Sequence, residues 1–173
     1  MTTPNIARPA LLAAVAVALI SCAPKAAAPP PCCATLGYNR TEVESVLGKP
    51  SPPQSSKYHA LPSPPPGASI YTTEHAYLTV TYFGMTPAVA QHFSLDFFEG
   101  KDPASGFKFA AAYLPFDAKD IANAVGEKYQ IRLYKSDQLE RTLPSSGGKI
   151  FVECAGPNPS RECDAMEIGA GNP

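Results

Sequence analysis

The sequence contains no tryptophan, only three histidines (His59, His75 and His92), and no Cys-x-x-Cys pair. Structural zinc sites draw closely spaced ligands from Cys and His, so no metal is expected, and no cofactor motif is present. Also missing are a Gly-x-Ser-x-Gly elbow, a His-Glu-x-x-His pair and a phosphate-cradling glycine loop. The commonest serine-hydrolase, metalloprotease and nucleotide-binding signatures are thereby removed. Charge is scarce: Asp, Glu, Lys and Arg make up 17% of the 173 residues, with a net charge of −1. A nucleic-acid partner would need a basic footprint, and none is present. Past residue 21, no apolar run approaches the roughly 20 residues that a membrane-crossing helix needs.

One apolar run does stand out. Ala10 to Ile20, a little after Arg8, is an uninterrupted apolar run, too short to span a hydrocarbon core of roughly 30 Å but suited to an export signal. It ends in Leu19-Ile20-Ser21-Cys22, which resembles the lipobox of bacterial lipoproteins. The resemblance implies a signal peptide over residues 1–21, cleavage before Cys22, and diacylglycerol on the Cys22 thiol. Ala23 rather than Asp after the cysteine implies an outer-membrane address, facing the periplasm, in a cell with two membranes. Each buried methylene contributes about 0.8 kcal/mol, so two or three acyl chains hold a protein on a bilayer where one holds it marginally.

Proline is in excess, at 20 residues. Ala23 to Pro31 is Ala/Pro-rich with a single lysine, a composition unable to bury a core. Its prolines favour an extended spacer of roughly 3 Å per residue. Residues 22–36 therefore read as a tether and 37–173 as one domain. A second Pro-rich stretch, Pro50 to Pro66, falls inside that domain and reads as a long ordered loop.

Within the domain, Thr41 to Glu44 has a capping-box pattern. Val43, Val46 and Leu47 follow at helical spacing, with Gly48 to end the helix and Pro50 to prevent its continuation. Leu78, Val80 and Tyr82 alternate with Thr79, Thr81 and Phe83, and Phe93, Leu95 and Phe97 alternate with His92, Ser94 and Asp96, so two half-buried strands are expected. Gly84 to Val89 would join them as a hairpin. Ile70 to His75 reads as a shorter strand, and Lys108 to Leu114 as an element of undecided type. Asp117 is expected to cap a second helix carrying Ile121, Ala122 and Val125 and ending at Gly126. Tyr129 to Tyr134 reads as a strand, and Lys149–Cys154 with Cys163–Ile168 as a closing hairpin. The order predicts an α+β fold, an antiparallel sheet with short helices on one face.

Glu42 to Gly48 and Asp120 to Gly126 share acid, aliphatic, aliphatic and glycine at matching places. Two tandem helix-plus-strand units, 37–104 and 105–173, would produce this echo, and so would two unrelated helices each ending in glycine.

Four cysteines besides Cys22 suit an oxidising compartment. Cys154 and Cys163 flank a loop of turn-forming residues on the closing hairpin and are expected to bridge. Such a loop contributes roughly 2.5–3 kcal/mol by chain entropy. Cys32 and Cys33 are adjacent and are left without an assigned pairing.

His92-Phe93-Ser94-Leu95-Asp96 contains the three residue types of a catalytic triad. On a strand, however, alternate side chains stand roughly 6.5–7 Å apart, whereas a relay needs about 3 Å. A solvated sheet face is the reading preferred, and no catalytic residue is assigned. Phe83 and Phe98, on the outer strand faces, are the candidate contacts for a partner.

Gly37, Val43, Leu47, Gly48 and Pro50 stand as G-x5-V-x3-L-G-x-P. This resembles the opening of the SmpA/OmlA lipoproteins, small outer-membrane proteins attached to the β-barrel assembly machinery. The related β-lactamase-inhibitor type carries two such units in tandem. The resemblance implies an α+β domain that presents a sheet or loop surface to another protein. Val43 and Leu47 would pack on the sheet, and Gly48 and Pro50 would end the helix. The expectation is a lipid-anchored, non-enzymatic envelope protein that binds a protein partner. A secreted hydrolase or small-ligand binder using His92 and Asp96 is the alternative, and a structural cell-wall protein a third.

Overall fold

Period-two alternation dominates the chain from residue 68 onward, and it builds a single antiparallel sheet. The computed structural model describes residues 33–51, 66–84, 86–126 and 129–173. The signal peptide, Cys22, Cys32, the tether up to residue 32, and most of the Pro-rich stretch with His59 lie outside the described residues.

The elements run α1 (Arg40–Leu47), β1 (Ala68–Thr72), β2 (Ala76–Phe83), β3 (Val89–Lys101), α2 (Pro103–Ala110), β4 (Lys119–Val125), β5 (Gln130–Lys135), α3 (Asp137–Thr142), β6 (Lys149–Ala155) and β7 (Cys163–Ala170). The sheet order is β1-β2-β3-β7-β6-β5-β4, antiparallel throughout. Two meanders are thus laid side by side, and the last strand of the chain joins them at the middle. The fold is α+β, as expected.

The alternation sorts side chains as the sequence predicts. Leu78, Val80, Tyr82, Phe93, Leu95 and Phe97 are buried, with Met166, Ile168, Ile150 and Val152 from β7 and β6. Val43 of α1, Phe107 and Ala110 of α2, and Leu139 of α3 join the same cluster, so the helices cover one face of the sheet. Phe109 and Tyr113 extend it as an aromatic layer, with Phe97–Phe109 and Phe93–Tyr113 centroids 5.4 and 5.9 Å apart. Across the closing hairpin, Cys154 and Cys163 form a disulfide. They are not register partners, since Cys154 lies opposite Met166. Cys163 is instead paired with Lys101 of β3, so the bridge ties β6 to the point where β7 begins.

Two expectations are corrected, and one element of undecided type is settled. The capping box of α1 starts at Asn39, not Thr41: the Asn39 side chain accepts from Glu42 N at 3.1 Å, and Glu42 Oε2 accepts from Asn39 N at 2.8 Å. The preceding backbone sets this start, because Gly37 N donates to Ala90 O, Ala90 N donates to Tyr38 O and Asn39 itself bridges Val89, so the helix begins only at Arg40. Lys108–Leu114 resolves into the end of α2 and a 3-10 turn, the helix opening two residues after Lys101 on an Asp102 cap with Pro103 behind it.

The largest correction is the second helix. Residues 119–125 form β4, exposed along its whole length and paired with β5. A helix there would offer only Ile121 and Val125 as large apolar residues, too narrow a stripe to hold it on a face already covered. Strand pairing satisfies its backbone instead. The echo between Glu42–Gly48 and Asp120–Gly126 therefore joins a helix to a strand and marks no repeated helix-plus-strand unit. Asp117 does cap a helix, but a different one: it accepts from Ser136 Oγ at 2.6 Å and Gln138 N at 2.8 Å, at the start of α3.

Burial pushes the Asp117 carboxyl up, but hydrogen bonds from Ser136 and the Gln138 N–H outweigh it and hold the group below its ordinary value. A carboxyl whose pKa is lower folded than unfolded contributes stability above the unfolded pKa of about 3.9, and that contribution is lost as pH falls through the folded value. Asp117→Asn should therefore lower the urea midpoint at pH 7, and the gap from the parent should close below about pH 4. A gap that stays constant down to pH 3 would contradict the capping role.

Candidate functional site

The face of the sheet away from the helices carries the polar halves of the central strands. Register places Thr81, His92, Gly169 and Phe151 in one row across β2, β3, β7 and β6, and Thr79, Ser94, Glu167 and Glu153 in the next. Within this grid, Ser94 Oγ donates to Glu167 Oε1 at 2.8 Å. His92 Nε2 lies 3.1 Å from Glu167 Oε2. That oxygen is buried and accepts no well-angled hydrogen bond, the imidazole lying beside it. Side-chain exposures of 35% for His92 and 30% for Glu167 leave both reachable from solvent. Glu153 stands directly opposite Glu167, a like-charge pair of a kind that raises the energy of a bare sheet face.

The row above forms a groove of about 340 Å³ lined by Thr81, Phe83, His92, Phe151 and Gly169, among others. Its floor comes from an unusual packing. A Cβ on Gly169 would fall on the Phe151 ring, so the aromatic lies across the strand where a side chain would otherwise stand. The His92 and Phe151 ring centroids are 6.3 Å apart. Phe83 is 54% exposed at the rim.

Of the residues singled out from sequence, His92 and Ser94 are brought together, but through Glu167 rather than Asp96. Asp96 lies four residues along β3, about 13 Å away by strand rise, opposite Ala165. The order of contacts is hydroxyl, carboxylate, imidazole. A nucleophile relay needs the imidazole in the middle to take the hydroxyl proton; here the hydroxyl donates to the carboxylate. The arrangement is suited to holding a carboxylate in place and presenting it with an imidazole beside it. No group of three His, Cys, Asp or Glu among the described residues is placed to hold a metal ion.

Phe83 and Phe98 share the open face but not a patch. Phe98 packs edge-on against Tyr77, centroids 4.9 Å apart. It lies nine residues along β3 from Val89, the register partner of Phe83, which is about 30 Å of strand. The residue that does join Phe83 is Phe151, and the carboxylate that organises His92 is Glu167. Both were missed in sequence because only the β3–β7 and β6–β7 pairings bring them there. The alternation of the closing hairpin put them on one face and could have flagged them. His75 stacks edge-on with Phe109 at 5.8 Å and meets Glu74 at 4.0 Å, away from this cluster. A second hollow of about 350 Å³ lies beside α2, lined by Cys33, Lys108, Phe109 and Tyr113 with Ser105 and Ala112.

Gly169→Ala should push the Phe151 ring off the groove floor. Overpacking of this kind costs about 1 kcal/mol or more and should lower Tm by a few degrees; an unchanged Tm would show that the ring does not depend on the missing side chain. Compared with protein-family models, curated proteins and solved structures, the chain finds no match.

Proposed function

We propose that the chain is a lipid-anchored cell-envelope module that binds a protein partner through its open sheet face. The observation that carries this reading is the composition of that face. Glu153 and Glu167 supply two carboxylates at its middle, beside the groove in which Phe83 and Phe151 are accessible. Such a face fits a partner segment that presents a basic side chain flanked by an apolar one, the apolar group in the groove and the cation toward Glu167. Affinity would come from the aromatic anchors, and orientation from the charges.

The address supports the same reading. A lipobox ending in Cys22 and a Pro-rich spacer would hold the domain near a bilayer, at the outer membrane facing the periplasm in a two-membrane cell. The resemblance of Gly37 to Pro50 to the SmpA/OmlA lipoproteins points to a non-enzymatic, assembly-type role. One observation favours the second reading, a small-ligand or hydrolytic site at His92: a groove of about 340 Å³ is large enough for a small molecule.

Photo-crosslinking residues placed at 83 and at 151 in intact cells should capture the same protein, and Glu153→Lys with Glu167→Lys should abolish both adducts. Cys22→Ala should block lipid labelling and weaken capture. No adduct at either position, or adducts indifferent to the charge reversals, would rule the partner surface out. His92→Ala that removes binding of a small molecule while leaving the adducts intact would favour the second reading.

A further inference from the structure

Four of the five large hydrophobic residues exposed among the described residues fall in one short stretch: Phe116, Ile121, Val125 and Tyr129, with exposures from 44 to 74%. That stretch is β4 and its flanks. Among the described residues β4 is the outermost strand of the sheet, paired on one side only. The opposite edge, β1, is partly occupied, since Ser51 N donates to Ile70 O and Ser51 Oγ accepts from Thr72 N. No described residue does the same for β4. Lys119 and Asp120 guard one end of it, but Ile121-Ala122-Asn123-Ala124-Val125 has neither a charge nor a proline, the usual protections of an open edge.

The hydrogen-bonding direction of each residue follows from two flanking bonds. Gly126 N donates to Tyr129 O, so Gly126 faces β5; Ser136 N donates to Gly148 O, so Ser136 faces β6. Alternation along both antiparallel strands then gives one consistent answer. Ala122 and Ala124 direct their N–H and C=O toward β5. Asn123 and Val125 direct theirs outward. The alternation is interrupted at Ile121, where β4 shifts register against β5 and Ile121 has no partner.

These residues form a near-palindrome about Asn123: Ile121 mirrors Val125 and Ala122 mirrors Ala124. Pairing about a two-fold axis at Asn123 uses one patch on both copies and sets residues of like size and polarity opposite one another. We propose that β4 pairs antiparallel with β4 of a second copy of this chain, with Asn123 opposite Asn123 of the partner and each Ile121 opposite a Val125. The seven-stranded sheets of the two copies become one continuous sheet. Backbone hydrogen bonds form across the axis from the outward-facing Asn123 and Val125 of each copy, the two Asn123 residues exchanging a pair at the axis itself. The surface is distinct from the open sheet face, so the proposal stands or falls independently of the partner reading.

The register is directly testable by disulfide trapping on the full chain in detergent, with joined peptides identified by mass spectrometry. Hydrogen-bonded partners in an antiparallel pair have Cα atoms about 5.5 Å apart, within reach of a disulfide. Asn123→Cys should therefore cross-link to itself on mild oxidation. Ile121→Cys or Val125→Cys alone should not, because like residues would be four positions, about 13 Å, out of register. A mixture of those two variants should cross-link. Asn123→Pro removes an outward N–H and no bond to β5, so the circular dichroism should be unchanged and the dimer at least tenfold weaker by sedimentation. A monomer at 100 μM with no adduct through residue 123 above the Ile121→Cys background would overturn the proposal. So would a dimer indifferent to Asn123→Pro, or adducts that join residue 123 only to a different protein.

Discussion

The pairing of β3 with β7 is the constraint on which the rest of the sheet depends. Each meander is built from neighbours in sequence, but the two meet only where the last strand of the chain lies against the third. Phe93 and Ile168, and Leu95 and Met166, are opposite one another on the helix side. The same register sets Ser94 against Glu167 and His92 against Gly169 on the other. Core and candidate site are thus two faces of one alignment. A slip of one residue would turn Phe93 and Leu95 to solvent and scatter the polar cluster in the same step. The partners are also far apart in the chain, so the seam closes late relative to the local hairpins.

Where burial is one-sided and the period clear, structure was legible in sequence. Leu78, Val80, Tyr82, Phe93, Leu95 and Phe97 all point inward as their alternation predicts, and the Cys154–Cys163 bridge follows from two strands and a turn-rich loop. What was not legible depended on competition. Ile121 and Val125 suit a helix stripe or a strand equally, and the free edge of β5 decided between them. Asp117 was readable as a cap, but the helix it serves opens beyond Ser136, nineteen residues later. Thr41 had the better capping-box spelling, and Asn39 took the role because the backbone before it is tied to β3. Glu167 carried no local mark, since its meaning comes from a strand 73 positions away.

The candidate interaction surfaces lie on one sheet but differ in kind. The open face offers side chains, carboxylates and two aromatic rings, and would discriminate by charge and shape. The β4 edge offers backbone, and its selectivity would come from symmetry and register. The helices, packed on the opposite side, obstruct neither. Were the chain tethered to a membrane as proposed, the two could act together, because anchoring raises the effective concentration of copies and of partners alike.

The floor of the groove owes its form to a residue with no side chain. A sheet surface is ordinarily a grid with every node filled; at Gly169 one node is blank, and the Phe151 ring from the adjacent strand has lain down into it. Depth and apolarity of the groove are then joint properties of two positions eighteen residues apart, neither able to change alone. A larger residue at 169 would call for a smaller one at 151. Descendants of this chain that alter what the groove accepts would be expected to move both together, leaving a correlated signature even where each residue by itself looks free to vary.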